Sequence, residues 1–94
     1  MYTMVVRMSV DPSRTEVVTR HLREDIVGWA MRRPGFVSGQ WLLGPEGDQG
    51  LGVVVFASQD AADSAAQGPS GFRRDEGRAW NVEEVTVYEQ VASA

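Results

Sequence analysis

The single histidine of the chain, His21, is followed four residues later by Asp25. On a helix this spacing places the two side chains on neighbouring turns, where a carboxylate can bind and orient an imidazole. A histidine held in this way can act as a general base near neutral pH, for example toward a phenolic proton. His21 and Asp25 are therefore candidate catalytic residues. The alternative, which the sequence alone favours, is a pair on the helix surface that contacts an arginine or a partner chain.

Four aromatic residues could form the walls of a ligand pocket, namely Trp29, Trp41, Phe72 and Trp80. Flat side chains of this kind bind planar ligands by stacking. Trp29 also suits a helix–sheet core, and Trp41 could face either side of its strand. Trp80 follows a segment interrupted by glycines, which favours a pocket wall. For each ring taken singly the sequence favours packing in the core or in a dimer, whereas the four together predict a pocket for a small aromatic ligand, with Trp80 as the best candidate for its wall.

Several kinds of chemistry are excluded by composition. The chain has no cysteine and no lysine, so thiol nucleophiles, disulfides and Schiff-base lysines are ruled out. With one histidine and no other metal-ligand spacing, we expect no metal site. A net charge of -4 gives nucleic acid little electrostatic reason to bind.

The distribution of apolar residues bears on the location of the protein. Hydrophobic residues make up 43% of the chain, but no run approaches the ~20 apolar residues of a membrane span. The N-terminus lacks the basic start and long apolar run of a secretion signal. We therefore expect no membrane association and a cytoplasmic location.

The first half of the chain must position His21, Asp25, Trp29 and Trp41. Residues 2–10 alternate as a strand, and Ser13 with Glu16 fits a capping box that begins a helix over residues 14–31. Its apolar stripe predicts the face that packs on a sheet: Val18, Leu22, Ile26 and Trp29. Pro34 and Gly35 end this helix. Strands follow over residues 36–43 and 51–56, joined by a hairpin loop at 44–50.

The second half of the chain must position Phe72 and Trp80. Ser58 can cap a short helix over residues 59–67, which the glycines and proline of residues 68–71 interrupt. Residues 72–80 are expected to form an irregular or helical turn. The last strand is predicted over residues 84–91, where valines alternate with polar residues.

This order of elements predicts an α+β, ferredoxin-like βαββαβ fold with a four-stranded antiparallel sheet, in one domain over residues 1–94. Both helices then cover one face of the sheet. Residues 53–56 are apolar on both parities, so the other face also needs a cover. The simplest cover is the sheet of an identical subunit, which predicts a homodimer. In that dimeric α+β barrel we expect Arg7 between the sheets, with Glu89 as a partner.

Three parts of the sequence carry a family resemblance: residues 33–39 (RPGFVSG), the following Trp41 and Leu42, and residues 85–89 (VTVYE). Together with the element order they resemble the antibiotic biosynthesis monooxygenase superfamily. The resemblance implies a dimeric α+β barrel with a ligand cleft between the helices and the sheet. Some members oxygenate aromatic polyketides without metal or organic cofactor, some degrade haem, and many have no assigned activity.

Two branches of that superfamily can be compared residue by residue. The haem-degrading branch uses an asparagine on the first strand and a histidine on the second helical segment. Here the strand offers Met4, Val6 and Met8, and no histidine lies between residues 58 and 80, so haem degradation is disfavoured. The cofactor-free oxygenases use asparagine, tryptophan and tyrosine near a bound phenol, and this chain has one asparagine, Asn81, beside Trp80.

The resemblance therefore implies a monooxygenase-like protein that uses no cofactor and acts on a small aromatic or polyketide-type molecule. Its site would be the cleft between the first helix, residues 72–80 and the sheet. The alternative is a non-catalytic homodimer that binds a small molecule or serves as a structural partner. An open aromatic cavity with a titratable group would favour the enzyme, whereas a collapsed, wholly apolar one would favour the alternative.

Overall fold

The structure, a computed structural model, describes Met1–Ala94. Four strands form one sheet: β1 (Tyr2–Val10), β2 (Phe36–Leu43), β3 (Gln49–Phe56) and β4 (Trp80–Glu89). Their order is β2-β3-β1-β4, and every neighbouring pair is antiparallel. A helical region lies between β1 and β2, and a helix lies between β3 and β4. The predicted α+β, ferredoxin-like architecture is confirmed.

The first helical region begins at Pro12, two residues earlier than predicted. The Asp11 carboxylate accepts hydrogen bonds from the Ser13 N–H at 3.0 Å and the Ser13 hydroxyl at 2.7 Å. These bonds lower the pKa of Asp11. Asp11 is thus the N-cap, and the predicted Ser13–Glu16 capping box is wrong. The reason is Pro12, which has no N–H to satisfy and has a fixed φ that suits a first helical turn.

A wide turn divides this helical region. After a 3₁₀ turn (Pro12–Arg14) come helix α1 (Thr15–His21), a π-helical turn (Leu22–Ile26) and helix α2 (Val27–Met31). The predicted apolar stripe is confirmed, because Val18 is buried and Leu22, Ile26 and Trp29 face the sheet. The π-helical turn allows Trp29 and the fully buried Ala30 to point inward from adjacent positions.

Two β-bulges decide which side chains face the helices. The register shifts between Phe36 and Ser38 on β2, and Glu83 is the extra residue on β4 opposite the step from Arg7 to Met8. Each extra residue reverses the alternation of faces along its strand. The predicted start of the last strand at residue 84 is therefore wrong: β4 begins at Trp80, and its apolar parity changes at Glu83. It ends at Glu89 rather than at residue 91.

Helix α3 (Gln59–Ser70) is longer than predicted. Ser58 caps it as expected, since its hydroxyl accepts the Ala61 N–H at 3.1 Å. The helix does not end at residue 67. Pro69 lies in the last turn, and the helix closes when Gly71 donates to the Gln67 carbonyl at 3.2 Å. Residues 72–79 then form an irregular segment with a turn, the first of the two expected alternatives, and no helix.

The two faces of the sheet differ in cover. The helices bury the inner face, where Met4, Val54 and Phe56 are at most 2% exposed. The outer face carries Arg7, as predicted, but its partner is Glu84 at 3.9 Å and not Glu89. This ion pair is exposed and therefore stabilises the fold little. Apolar side chains surround it on the outer face: Val5, Leu42, Leu51, Val53, Val55 and Tyr88. None of the helices is long and apolar enough to cross a membrane.

Candidate functional site

A cavity of about 220 Å³ lies between the inner face of the sheet and the helices. Its floor is formed by β1 and β3, through Met4, Val6, Met8, Gly52 and Val54. Its helical side is formed by the first helical region and by the last turn of α3. The remaining lining residues are Leu22, Ile26, Trp29, Trp41, Gly68, Pro69, Phe72, Trp80 and Val82.

The structure places all four predicted pocket residues in the walls of this cavity. Trp29 comes from α2, Trp41 from β2 and Trp80 from β4, and Phe72 follows α3. Trp41, which the sequence left open between two faces, is on the inner face. The Phe72 and Trp80 rings contact each other, with centroids 5.3 Å apart. Three indoles and a phenyl ring from four separate elements thus surround one space, which suits a flat aromatic ligand.

Three glycines allow two of the indoles to lie close to the main chain. A side chain at Gly39 or Gly52 would place its Cβ 2.9 Å or 3.2 Å from the Trp41 ring. At Gly68 the Cβ would lie 2.7 Å from Trp29. Sequence reasoning missed these three positions. The sequence does place Gly39 and Trp41 on one face of a strand, which could have indicated their contact. The contact between Gly52 and Trp41 depends on the register between β2 and β3.

The cavity lining contains no carboxylate, imidazole, hydroxyl or guanidinium group. Within the chain, histidine and acidic side chains do not gather into a group of three or more that could hold a metal ion. The walls can therefore exclude water and orient a ligand, but they offer no acid or base of their own.

The predicted His21–Asp25 pair is formed, but it lies outside the cavity. His21 Nδ1 is 2.8 Å from Asp25 Oδ2, and the Asp25 side chain is 65% exposed. The imidazole stacks on Trp80, with ring centroids 5.5 Å apart and planes 29° apart. His21 lines a shallow surface depression that shares Phe72 and Trp80 with the cavity. The Trp80 ring thus separates His21 from the cavity interior.

Arg78 holds the segment that carries Phe72. Its guanidinium donates to the main-chain oxygens of Trp80 at 2.9 Å and Arg73 at 2.6 Å. It also lies over the rings of Phe72 and Trp80, at 5.5 Å and 5.4 Å from their centroids. Sequence reasoning did not single out this residue. A cation that stacks on both rings and ties the main chain of Trp80 to that of Arg73, next to Phe72, stabilises this wall of the cavity.

Asn81, the only asparagine, supports the same segment from β4. Its amide is buried, accepts the Asp75 N–H at 2.8 Å and donates to the Asp75 carbonyl at 3.1 Å. It also accepts from Arg78 at 3.1 Å. The amide oxygen accepts two hydrogen bonds and the amide nitrogen donates one, and the side chain does not line the cavity. Its role in the structure is to hold residues 75–81 in position.

Glu83, the extra residue of the β4 bulge, anchors that bulge to its surroundings. Its carboxylate accepts from the Ser9 hydroxyl at 2.6 Å and from Arg74. These two hydrogen bonds, the Ser9 bond first, lower the pKa of Glu83. The bulge that turns Trp80 and Val82 toward the cavity is therefore tied to β1 and to the Phe72 segment.

The fold of the chain is found among solved structures, although no family profile and no curated protein matches the sequence. MhuD from Mycobacterium tuberculosis, a haem degrader solved with two haems in its active site, has a TM-score of 0.76 at 16% identity, covering 100% of this chain and 99% of that chain. SnoaB from Streptomyces nogalater, a cofactor-independent oxygenase, has a TM-score of 0.63 at 20% identity, covering 98% of this chain and 94% of that one.

A third similar structure contains a small ligand. It is a monooxygenase from the gene ActVA-Orf6 of Streptomyces coelicolor in complex with nanaomycin D, with a TM-score of 0.65 at 13% identity, covering 99% of this chain and 89% of that one. At these identities the similarity establishes the fold. This chain therefore shares the α+β fold of these three proteins, which is the fold that the sequence resemblance implied.

Proposed function

We propose that this protein binds a small, planar, electron-rich aromatic molecule in the cavity and oxygenates it with molecular oxygen, without a metal or organic cofactor. The observation that carries the proposal is the lining itself, in which Trp29, Trp41, Phe72 and Trp80 surround a space without charged side chains. Such walls stack on a flat ligand and keep water away from it. The same fold in SnoaB and in the ActVA-Orf6 monooxygenase supports the assignment to oxygenation.

The proposed reaction needs no external reductant. A phenolic substrate loses its proton, and the phenolate transfers electrons from a ring carbon to oxygen as a carbon–oxygen bond forms. The resulting hydroperoxide loses water and leaves a quinone, so one phenol and one oxygen molecule give one quinone and one water. The protein contributes orientation and a dry environment, in which the phenolate is less well solvated and more easily oxidised.

His21 and Asp25 enter the proposal as the proton acceptor at the Trp80 end of the cavity. With Nδ1 donating to Asp25, the Nε2 lone pair of a neutral imidazole is available as a base. The surface depression at His21 adjoins the cavity across Phe72 and Trp80. Proton transfer requires the substrate hydroxyl to reach this depression past the two rings.

We further propose that the protein works as a homodimer whose subunits pack through the outer faces of their sheets. Leu42, Leu51 and Tyr88 are 46%, 37% and 53% exposed on that face, beside the half-buried valines of β1 and β3. Covering such a surface with an identical sheet removes apolar area from water on both subunits at once.

Haem degradation is not part of the proposal, although MhuD shares the fold. No histidine lines the cavity, so a haem placed there would lack an imidazole ligand for its iron. The helix-facing side chains of β1 are Met4, Val6 and Met8 rather than an asparagine.

Binding without catalysis is the second candidate function, because no titratable side chain lines the cavity. Oxygen uptake with anthrone, a three-ring compound whose enol is a phenol, distinguishes the two candidates. We expect the protein to accelerate uptake and to form anthraquinone in equimolar amount. Met4→Trp, which fills the floor of the cavity, should abolish both binding and acceleration.

Calorimetric titration of anthrone under nitrogen measures binding in the absence of oxidation. If anthrone binds but oxygen uptake is no faster than in the protein-free control, the proposed enzyme function is wrong and binding without catalysis takes its place. Absence of binding to the wild-type protein would overturn both candidates.

A further inference from the structure

The Trp41 indole has a defined orientation on the floor of the cavity. Its six-membered ring lies over Gly39, where a Cβ would meet Cη2 at 2.9 Å and Cζ3 at 3.1 Å. Its five-membered ring lies over Gly52, where a Cβ would meet Nε1 at 3.2 Å and Cδ1 at 3.3 Å. The ring therefore lies across β2 and β3, with its nitrogen at the Gly52 end.

The Gly52 end of this indole is the end that faces the cavity. Trp41 lies between the cavity, which Gly52 also lines, and a separate groove along the edge of β2, which Gly39 lines. Side chains form hydrogen bonds to the main-chain oxygens of Trp29 and Trp80, but the indole N–H groups of the tryptophans take part in no side-chain hydrogen bond. No buried side-chain nitrogen is left without a partner, so the unpaired indole N–H groups of Trp29, Trp41 and Trp80 are all accessible, and the position of the Trp41 nitrogen over Gly52 places that donor on the cavity side. An accessible N–H donor thus lies at the cavity floor.

The side chains of the lining offer indole N–H donors but no matching acceptor. An indole N–H can donate a hydrogen bond and cannot accept one. The strongest side-chain acceptors in the walls are the sulfur atoms of Met4 and Met8, which accept weakly. A ligand oxygen that accepts a hydrogen bond can therefore be satisfied inside the cavity, whereas a ligand N–H or O–H is buried there without a partner.

We infer that the cavity selects aromatic ligands by a hydrogen-bond acceptor, a carbonyl or phenolate oxygen, that receives the Trp41 Nε1–H. This inference rests on the proposed function only in that the cavity must bind flat aromatic molecules. Trp41 is then a specificity-determining residue, and aromatic ketones, quinones and phenolates are the ligand class. Trp41 lies on β2 and the His21 depression adjoins β4, at opposite edges of the sheet. A substrate bound through its carbonyl would thus have its far end toward His21.

Three flat three-ring probes of similar shape test the inference by calorimetric titration. Fluorenone carries an acceptor on its central ring, fluorene carries neither donor nor acceptor, and carbazole carries a donor at the equivalent position. We compare the wild-type protein with Trp41→Phe, which keeps a flat ring and removes the N–H. Trp29→Phe is the matched control, since it removes an indole N–H from another wall of the same cavity.

The expected result is a preference for fluorenone over fluorene that depends on Trp41. The ratio of their affinities should fall by about fivefold to tenfold in Trp41→Phe, the usual effect of losing one neutral hydrogen bond. Affinity for fluorene should fall by a similar factor in the two variants, because each loses part of an aromatic wall, and Trp29→Phe should keep the wild-type ratio. Carbazole should bind the wild-type protein more weakly than fluorenone.

The outcomes separate this inference from the proposed function. If all three probes bind and the ratio is the same in wild type and Trp41→Phe, the inference is overturned while aromatic binding stands. If the ratio falls in Trp29→Phe instead, the donor is Trp29 and the assignment to Trp41 is wrong. If no probe binds, the proposed function fails first.

A measurement on the wild-type protein guards against a poorly folded variant. The three tryptophans give three indole N–H signals in a nitrogen–proton correlation spectrum. Fluorenone should move the Trp41 signal downfield, as hydrogen bonding does, and fluorene should not. Equal shifts with both ligands would contradict the inference.

Discussion

At the level of single residues, the Trp80 ring separates two environments at one end of the cavity. Its inner side lines an apolar space, and its outer side stacks on His21, whose ring is held by the exposed Asp25. Arg78 lies over the same ring and fixes the main chain around it. The chemistry proposed for His21 therefore depends on how a substrate passes Trp80, which substitution can test.

His21→Gln should lower the turnover of a phenolic substrate by at least about tenfold at neutral pH, because a positioned base contributes roughly 10²–10⁴-fold. Substrate affinity should change little, since His21 does not line the cavity. The measurement is oxygen uptake as a function of substrate concentration. Arg20→Gln, on the same helix, is the control. Turnover within about twofold of wild type would show that the proton leaves to solvent rather than to His21.

At the level of elements, irregularities in regular structure shape the cavity. The bulge at Val37 places Phe36 and Trp41 on the same face of β2. The bulge at Glu83 does the same for Trp80 and Val85 on β4. The π-helical turn at Leu22–Ile26 brings α2 against the sheet with Trp29 inward. Each irregularity turns a large apolar side chain inward.

Gly68→Ala tests the contact between α3 and Trp29. Alanine in a helix interior normally stabilises by about 1 kcal/mol over glycine, but a Cβ here lies 2.7 Å from the Trp29 ring and must displace it. Such overpacking costs about 1–3 kcal/mol, so we expect a net loss of stability and weaker binding of aromatic ligands. Urea unfolding gives the free energy. Gly77→Ala, where the nearest atom is 3.4 Å away, is the control. A stabilised Gly68→Ala would show that Trp29 moves without cost.

The carboxylate of Glu83 makes the anchoring of the β4 bulge depend on pH. Its pKa lies below the ordinary value of 4.5 in the folded protein, chiefly because Ser9 donates to it. This contribution to stability is present above pH 4.5 and is lost as the pH falls through the lowered pKa. The melting temperature of Glu83→Gln should be below that of wild type near neutral pH, and the two should converge in acid. Glu46→Gln, in the exposed β2–β3 loop, controls for charge. A difference between Glu83→Gln and wild type that is constant with pH would contradict this assignment.

At the level of the whole molecule, the sheet has one face covered by helices and one apolar face that a single chain leaves exposed. Arg7 and Glu84 are the charged pair on that outer face, and both side chains are more than half exposed. A second copy of the sheet would cover the valines and leucines around them. The cavity lies on the opposite face, so the proposed dimerisation and the proposed ligand binding would use separate surfaces.

Val53→Glu should prevent the proposed dimer, because it places a carboxylate near the middle of the outer face, on a strand between β1 and β2. We expect wild type to sediment as a dimer and the variant as a monomer in analytical ultracentrifugation. Val17→Glu, at an exposed position of α1, makes the same change elsewhere and should leave the dimer intact. A wild-type protein that sediments as a monomer would refute the proposed dimer.

Local sequence determined the elements and much of the cavity lining. Alternation identified β1 and β2 with their bounds, the Ser58 cap began α3, and the stripe from Val18 to Trp29 identified the buried helix face. These features depend on neighbours within a few residues, so they can be read from the chain. The four aromatic wall residues were predicted from their large flat rings, and Trp80 also from its position after a segment interrupted by glycines.

The tertiary structure alone decided how these residues meet. The start of β4 at Trp80 depends on a bulge at Glu83, which no local pattern reveals because it reverses the apolar alternation on which strand prediction relies. The separation of His21 from the cavity by Trp80, and the position of the Trp41 N–H over Gly52, both join residues far apart in the chain. Long-range packing and strand register set such contacts. The side chains that could do chemistry could therefore be identified from sequence, whereas the space each one faces could not.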